Sequence, residues 1–393
     1  MAMDKHPLNV TDIVLGKTLP WDVYDGKEVL LLRKGQTIAS PHQLEVLIER
    51  GAFVDASEYT MFSRFKSDSK ILASGAPQEQ KEVRSTLRLV NQAIEQLEQI
   101  LTGMLDQPGE PDVSASILDI VNRIREAIEI DPDIALACTL FKPIVKGYSA
   151  RHGVHAAILS MVTAHSMQKT QDEITTIACA ALSMNVSIFS LQERLQLTSR
   201  RLSPEENALI KQHPQTSVEL LRQAGITDEA WLSYVLHHHE NIDGSGYPSG
   251  KTGSDIPENA VLISLVDRFT ALVSPRAYRP ETFPSNAIRI LLKERMQGLD
   301  PLIAAHFIRT LGVHPPGALV KLHSGEIAVV TKRGQNGSTP IVHALLTPRI
   351  YPLPYPYKRE TDNERYGIRE SFHVKNEDIP FNMQQIWGKA ASL

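Results

Sequence analysis

A run of histidines followed by a glycine-rich turn stands in the second half of this 393-residue chain. The run reads His237-His238-His239-Glu240, and the chain continues as Asn241-Ile242-Asp243-Gly244-Ser245-Gly246-Tyr247-Pro248. Imidazole and carboxylate groups are the usual ligands of first-row metal ions with open coordination positions. Glycines let the backbone turn tightly. The segment therefore indicates a metal site beside a tight loop, with a capping or surface role as the plain alternative.

Three residues on other apolar segments are further candidate ligands. They are His152, His213 and Asp267. Each of them taken singly is more often a buried polar residue with hydrogen-bond partners than a metal ligand. Asp267 follows an apolar run, where an ionised carboxylate needs a cation or hydrogen-bond donors. Together with the histidine run, these residues predict one site if the fold brings them together.

The composition is that of an ordinary globular protein. The chain has 42% hydrophobic and 22% charged residues, and 41 Lys and Arg against 45 Asp and Glu give a formal net charge of −4. Without a basic stripe to neutralise phosphates, nucleic-acid binding is not expected. The two cysteines, Cys138 and Cys179, have neither metal-binding nor disulfide spacing. No apolar run approaches the length of a transmembrane segment, so a cytoplasmic location is expected.

The hydrophobic pattern predicts a multidomain α+β protein with four parts. Residues 1–65 alternate short apolar runs with Gly and Asp turns, which is typical of a small β-rich domain. Residues 66–112 form a helical linker, whose amphipathic helix 79–105 docks on another element or forms a homodimer. Residues 113–315 have helical periodicity and predict a central all-α domain. Residues 316–393 begin with a hairpin and form a β-rich extension.

The central motifs resemble the HD-GYP subfamily of HD-domain phosphodiesterases, which hydrolyse the bacterial second messenger cyclic di-GMP at a di- or trinuclear metal centre. The resemblance covers about residues 113–330, and its most specific part runs from His238 to Pro248. It implies an HD-type helical fold. It also implies five metal ligands, namely His152, His213, His238, His239 and Asp267.

The same resemblance implies residues that bind the dinucleotide and a partner. Tyr247, Arg276 and Arg279 would hold the guanines or phosphates, and the planar guanidinium group of arginine suits phosphate oxygens. In the family, the glycine-rich loop is also implicated in binding diguanylate cyclase (GGDEF) partners. Its backbone is pre-organised for such a contact. The corresponding loop residues here are Asp243, Gly244, Gly246, Tyr247 and Pro248.

The chain departs from the family at the His-Asp pair that gives the family its name. Where members read Leu-Leu-His-Asp-Ile-Gly-Lys, this chain has Met184, Asn185 and Ile188 for the His, the metal-bridging Asp and the assisting Lys. A shared carboxylate offsets the repulsion between two neighbouring divalent ions and fixes their spacing. The neutral amide of Asn185 does this less well. The thioether of Met184 is a poor ligand for iron(II), manganese or magnesium, and Ile188 brings no charge.

Two functional hypotheses follow from the matches and the departures. The first is a catalytically impaired family member that acts by binding cyclic di-GMP, a GGDEF protein or another signalling partner. It would hold one divalent ion such as iron or manganese, or none. The second is an active, metal-dependent cyclic di-GMP phosphodiesterase that uses the five remaining ligands. A scaffold in which residues 1–110 drive self-association is the plain alternative. The number of metal ions per chain separates the first two.

Overall fold

The computed structural model describes residues 5–7, 18–19, 21–26, 28–38, 47, 52–56, 84–106, 112–141, 147–275, 282–293, 300–334, 339–372 and 383–393. The chain divides into two compact units, Met1–Glu82 and Val83–Leu393. This division places one boundary between residues 82 and 83. The finer boundaries at residues 65, 112 and 315 remain predictions.

The first unit contains a small antiparallel sheet. Its strands are β1 (Lys5–Pro7), β2 (Val23–Tyr24), β3 (Leu30–Leu32) and β4 (Phe53–Asp55), in the order β1-β4-β2-β3. The turn between β2 and β3 contains Asp25 and Gly26, and the Asp25 carboxylate accepts a hydrogen bond from the Val29 amide at 2.9 Å. Trp21, Val23 and Val54 are buried in its core. A β-rich N-terminal region is therefore confirmed.

The second unit begins with two helices that pack against each other. These are α1 (Thr86–Asp106) and α2 (Val113–Ile130). The apolar residues of α1 that recur every three or four positions, such as Val90, Ile94 and Leu97, are buried within the chain. The amphipathic helix therefore docks, as its pattern indicated. Because this apolar face is covered, a homodimer through residues 79–105 would have to use the remaining face, and it remains a prediction.

A helical bundle follows, with α4 at its centre. Its helices are α3 (Pro132–Cys138), α4 (Tyr148–Ser166), α5 (Gln171–Ser183), α6 (Phe189–Leu195), α7 (Pro204–Gln223), α8 (Glu229–His237), α9 (Glu258–Val273), α10 (Pro284–Lys293) and α11 (Pro301–Leu311). Short 3-10 turns lie at Val186–Ile188 and Gly253–Asp255. Nearly every residue of α4 is buried, and α4 contacts α1, α5, α6 and α9. The all-α central domain is thus confirmed.

Polar side chains determine where the site-bearing helices begin. Ser203 accepts a hydrogen bond from the Glu206 amide while the Glu206 carboxylate accepts one from the Ser203 amide, so α7 starts with a capping box. Pro204 occupies the first turn of α7, where its missing N–H costs nothing. Asp228 caps α8 through the amides of Ala230 and Trp231. These caps fix the starts of the two helices that carry or lead to the histidines.

Among the residues that the structure describes, one segment meets the length and composition expected of a membrane-spanning helix. This segment, Gln171–Leu195, corrects the expectation that no apolar run approaches that length. However, 72% of its apolar window is buried inside the protein. The segment also breaks into α5, a 3-10 turn and α6. Core helices of globular proteins share these properties, so the evidence for a span is weak.

The C-terminal part of the chain contains a five-stranded antiparallel sheet. Its strands are β5 (Leu319–Leu322), β6 (Ile327–Lys332), β7 (Ile341–Leu346), β8 (Pro352–Glu360) and β9 (Ile368–Ser371), in the order β8-β7-β6-β5-β9. The hairpin between β5 and β6 turns at His323 to Glu326, as its sequence indicated. Helix α12 (Met383–Trp387) packs on one face, where the Trp387 indole N–H donates to the Thr331 carbonyl at 3.1 Å. The β-rich C-terminal extension is confirmed.

Candidate metal centre

Two buried imidazoles face each other at the core of the bundle. The Nε2 atoms of His213, on α7, and His238, just after α8, lie 3.1 Å apart. Nδ1 of His213 lies 2.5 Å from the Ile210 carbonyl, and Nδ1 of His238 lies 2.6 Å from the Val235 carbonyl. A carbonyl only accepts, so each Nδ1 carries the proton and each Nε2 presents a lone pair. Two lone pairs that face each other repel, and a metal ion bound by both relieves that repulsion.

A third histidine completes the cluster. The ligating atoms of His213, His238 and His239 all lie within 4.8 Å of one another. Burial lowers the pKa of His213 to about 3 and also holds the pKa of His238 and His239 below the usual value. The three rings are therefore neutral near pH 7, which is the form that binds metals. The donor set suits iron, manganese or another first-row ion.

A histidine–carboxylate pair lies next to the cluster. Nε2 of His152, on α4, is 2.7 Å from Oδ1 of Asp267, on α9. Burial raises the pKa of Asp267, but the hydrogen bond from His152 and the neighbouring histidines outweigh burial and lower it below the usual value. Asp267 therefore carries a negative charge. Nδ1 of His152 is buried without a hydrogen-bond partner among the described residues, which is unusual for a buried polar atom.

One cavity of about 220 Å³ connects these groups. His152, His213, His239 and Asp267 line it, and His238 lies behind His213. The fold thus gathers the five predicted ligands from four separate elements into one place. Their role as ligands remains a prediction. Tyr247 also lines the cavity, whereas Arg276 and Arg279 lie outside the described residues.

The three positions predicted to be degenerate occupy different surroundings. Asn185 and Ile188 line the cavity, whereas Met184 is fully buried in the hydrophobic core. The segment is fixed to α7, because the Ser187 hydroxyl donates to the His213 carbonyl at 3.0 Å. Among the cavity-lining residues that the structure describes, Asp267 is the only carboxylate. The cavity thus offers one negative charge.

Helix α6 forms a wall of the cavity that no sequence motif indicated. Gln192 and Gln196 place amides there, and Leu191 and Leu195 add apolar surface. Oε1 of Gln192 is buried without a hydrogen-bond partner in the described part of the chain. Glutamine and leucine have no diagnostic spacing, so only the start of α6, four residues after Asn185, could have suggested their place.

The glycine-rich loop is held by the residue that precedes it. Glu240 is buried, and its carboxylate accepts hydrogen bonds from the amides of Ser249 at 2.7 Å and Lys251 at 3.1 Å. The Tyr247 amide donates to the His239 carbonyl at 3.1 Å, and the Tyr247 ring stacks on His239 with centroids 4.7 Å apart. The sequence indicated that Glu240 is a candidate metal-binding carboxylate and gave no sign that it holds the loop. Glu240 fixes the loop, and the loop places Tyr247 against the histidine cluster.

Gly246 occupies a position that only glycine fits. A Cβ atom there would lie 2.4 Å from the Asn241 amide nitrogen and 2.6 Å from the His239 carbonyl oxygen. We expect Gly246→Ala to destabilise the protein by roughly 1–3 kcal/mol, as overpacking does. Thermal or urea denaturation measures this. The matched control is Gly103→Ala on α1, which has open space and should stabilise the protein by about 0.5–1 kcal/mol. Equal effects of the two changes would contradict this steric account.

Buried His155, one turn after His152 on α4, predicts a pH-dependent stability. Burial, together with the nearby charge of Arg151, lowers the pKa of His155 to about 3. The neutral His155 ring contributes its full stabilisation to the folded state above the unfolded-state pKa of about 6.5. This contribution is lost as the pH falls towards the folded-state pKa of about 3. We expect the free energy of unfolding to fall by up to about 1.4 kcal/mol per pH unit in this window through His155 alone. Urea denaturation of His155→Gln should show a correspondingly shallower pH dependence, and an unchanged dependence would contradict the assignment.

Comparison with known proteins agrees with this architecture. Residues 138–303 match the family model described as HD domain. The chain is 27% identical over 242 residues to a protein named cyclic di-GMP phosphodiesterase from Pseudomonas aeruginosa, which covers 62% of this chain and 56% of that protein. It is 23% identical over 200 residues to the cyclic di-GMP phosphodiesterase PdeB of Borreliella burgdorferi, and this alignment covers 51% of this chain and 52% of that protein.

A solved structure is also similar. It is described as an HDG"Y"P protein from Bdellovibrio bacteriovorus, and the match has a TM-score of 0.45 and 18% identity over 77% of this chain and 98% of that chain. The chain spans about half the length of the two curated relatives described above.

Residues 138–303 therefore form an HD domain. Within that class, the resemblance to the HD-GYP proteins is confirmed, since the curated relatives are named cyclic di-GMP phosphodiesterases.

Proposed function

We propose that this protein is a cyclic di-GMP signalling protein that binds the dinucleotide next to a single metal ion and is impaired in hydrolysis. The observation that carries the proposal is the charge of the cavity. Asp267 is its one carboxylate among the described lining residues, and the neutral Asn185 lines the wall where the family has its bridging aspartate. The names of the relatives support the choice of dinucleotide.

The argument for one ion is electrostatic. Paired catalytic metals lie about 3.5–4 Å apart. Two unit charges 4 Å apart repel by about 4 kcal/mol at an effective dielectric constant of 20, and two divalent ions repel by roughly four times as much. A bridging carboxylate offsets this repulsion, whereas the amide of Asn185 brings no net charge. One ion, bound by the histidine cluster and with half of its charge offset by Asp267, needs no bridge.

The ligand would lie against Tyr247. This ring stacks on His239 and lines the cavity, so it offers an aromatic surface for a guanine base. Arg276 and Arg279 remain the proposed phosphate contacts, and the loop from Asp243 to Pro248 remains the proposed contact for a GGDEF partner. A cytoplasmic location is part of the same proposal.

Calorimetry with manganese-loaded protein and cyclic di-GMP tests the proposal. We expect saturable binding, at least about tenfold weaker in Tyr247→Ala, as expected when a base-stacking contact worth 1–3 kcal/mol is lost. Tyr351→Ala, at an exposed tyrosine at the edge of the C-terminal sheet, should leave binding unchanged. Chromatography of the same samples should show intact dinucleotide. Absence of binding, or rapid formation of pGpG or GMP, would end the proposal.

An active phosphodiesterase with a reduced site is the second candidate. The observation that favours it is that the cavity beside the three neutral imidazoles is also lined by a charged carboxylate, and such a group could activate a metal-bound water. Steady turnover that disappears together with the metal in His239→Ala would establish this alternative.

A further inference from the structure

A second cleft lies between α10 and the C-terminal sheet, and it shares no lining residue with the metal centre. Its volume is about 390 Å³, within the range of about 300–1,000 Å³ that is usual for small-molecule sites. The lining residues come from the start of α10, the turn after α11 and strand β9. They are Phe283, Ser285, Asn286, Arg289, His314, Arg369, Glu370 and Ser371.

The cleft is held together by a contact between its two walls. The hydroxyl groups of Ser285, on α10, and Ser371, on β9, are 2.7 Å apart and form a hydrogen bond. This bond fixes the helix against the strand. The guanidinium groups of Arg289 and Arg369 therefore belong to opposite walls whose separation is set by the fold.

The charge of the cleft is positive. Neither Arg289 nor Arg369 forms an ion pair with another described residue, and Arg289 donates only to the neutral amide of Asn286, at 2.9 Å. Glu370, the one acidic residue among the described residues that line the cleft, has its carboxylate 3.8 Å from the ammonium group of Lys321, which offsets its charge. Burial lowers the pKa of His314, so its ring is neutral near pH 7 and serves as a hydrogen-bonding group.

The chemistry of these groups defines a ligand. Two guanidinium groups without carboxylate partners suit a phosphate, which each can engage through two parallel hydrogen bonds. Ser285, Asn286 and His314 add neutral donors and acceptors for a sugar or a base edge. The ring of Phe283 forms part of the wall and offers a surface for a planar base.

We propose that this cleft binds a nucleoside monophosphate, with the phosphate between Arg289 and Arg369 and the base against Phe283. The site is separate from the metal centre and does not depend on the function proposed there. Its ligand carries one terminal phosphate, whereas the dinucleotide proposed for the metal centre has no terminal phosphate.

Calorimetry of the full-length chain with three probes tests the site. Adenosine monophosphate should bind at least about tenfold more tightly than inorganic phosphate, because base stacking adds roughly 1–3 kcal/mol. Adenosine, which lacks the phosphate, should not bind measurably. Binding of adenosine as tight as that of the monophosphate, or no binding of the monophosphate at millimolar concentration, would overturn the proposal.

Variants locate the binding in this cleft. Arg289→Gln and Arg369→Gln should each weaken monophosphate binding by about tenfold or more, as expected for a charged hydrogen-bond donor. Both arginines are exposed, so the variants should fold normally. Arg309→Gln, at an exposed arginine of α11 outside the cleft, is the matched control.

Phe283→Leu should reduce the affinity for the monophosphate to that for phosphate and leave phosphate binding unchanged. If the double variant Arg289→Gln/Arg369→Gln still binds the monophosphate as the unmodified protein does, the site lies elsewhere and the proposal fails. Because these variants leave the histidine cluster intact, metal content measured on the same samples distinguishes this failure from a failure at the metal centre.

Discussion

His238→Ala is expected to release the metal ion from the purified protein. The Nε2 atom of His238 lies 3.1 Å from that of His213, and each ring has its other nitrogen bonded to a backbone carbonyl. Removing one ring leaves the remaining lone pair without its partner ligand. We expect metal affinity to fall by more than about 100-fold, since changes that only support a ligand already cost 10- to 100-fold. Metal analysis after anaerobic purification, together with titration of the metal-free protein, measures this.

The neighbouring histidine is a matched control. His237 is also buried, but its Nδ1 lies 2.8 Å from the Ser233 carbonyl, and it does not belong to the three-histidine cluster. His237→Ala should therefore leave about one metal ion per chain. Equal loss in both variants would show that the metal depends on the general fold of this segment. A full complement of metal in His238→Ala would refute the assigned centre.

Asn185→Asp is expected to increase the number of bound metal ions from one towards two. Asn185 already lines the cavity, so the substitution adds a negative charge there without changing the size of the side chain. The new carboxylate can bridge two ions and offset their repulsion. We expect the affinity for a second manganese ion to rise by at least about tenfold, which corresponds to about 1.4 kcal/mol.

Ile188→Lys and Met184→His, each added to Asn185→Asp, should affect hydrolysis and stability differently. Ile188→Lys also faces the cavity and should add phosphoryl contact, whereas Met184→His places an imidazole in the hydrophobic core and should cost stability. Slow hydrolysis of cyclic di-GMP should appear first in Asn185→Asp/Ile188→Lys.

Gln192→Glu tests whether the gain of a second metal ion depends on a carboxylate at position 185 or only on an added negative charge in the cavity. It adds the same charge to another amide that lines the cavity. Equal metal gain in Gln192→Glu and Asn185→Asp would contradict the bridging role of position 185. Two tightly bound ions in the unmodified protein would contradict the electrostatic argument itself.

The sequence predicted the chemistry of the site better than its surroundings. The histidine run and the distant His152, His213 and Asp267 were recognisable because their residue types are rare in apolar segments and match a family motif. The structure brings them together, although no spacing rule could have shown this, because they lie on separate helices. Their convergence depends on the packing of α4, α7 and α9, which is decided by side-chain shape over long sequence separations.

Other features could not be predicted, for identifiable reasons. Periodicity revealed the apolar face of α1 but not its partner, and only the packed bundle shows that α2 and α4 cover it. The pattern at Met184 and Asn185 gave no indication that one side chain enters the core and the other enters the cavity. The chain turns after α5, so neighbouring residues there have no common face. The role of Glu240 in holding the loop could not be predicted, because its backbone amide partners lie nine and eleven residues further along the chain. Its place beside three histidines indicated a metal ligand instead.

Three consecutive residues connect the histidine cluster to the glycine-rich loop. His238 and His239 contribute imidazoles to the cluster, and Glu240 holds the loop through two backbone amides. An ion that immobilises the two rings therefore also restricts the peptide units from which the loop departs. Such linkage is reciprocal. A protein that recognises the ordered loop will bind the metal-loaded form more tightly, and by the same factor it will tighten the binding of the ion, so that metal supply and complex formation regulate each other.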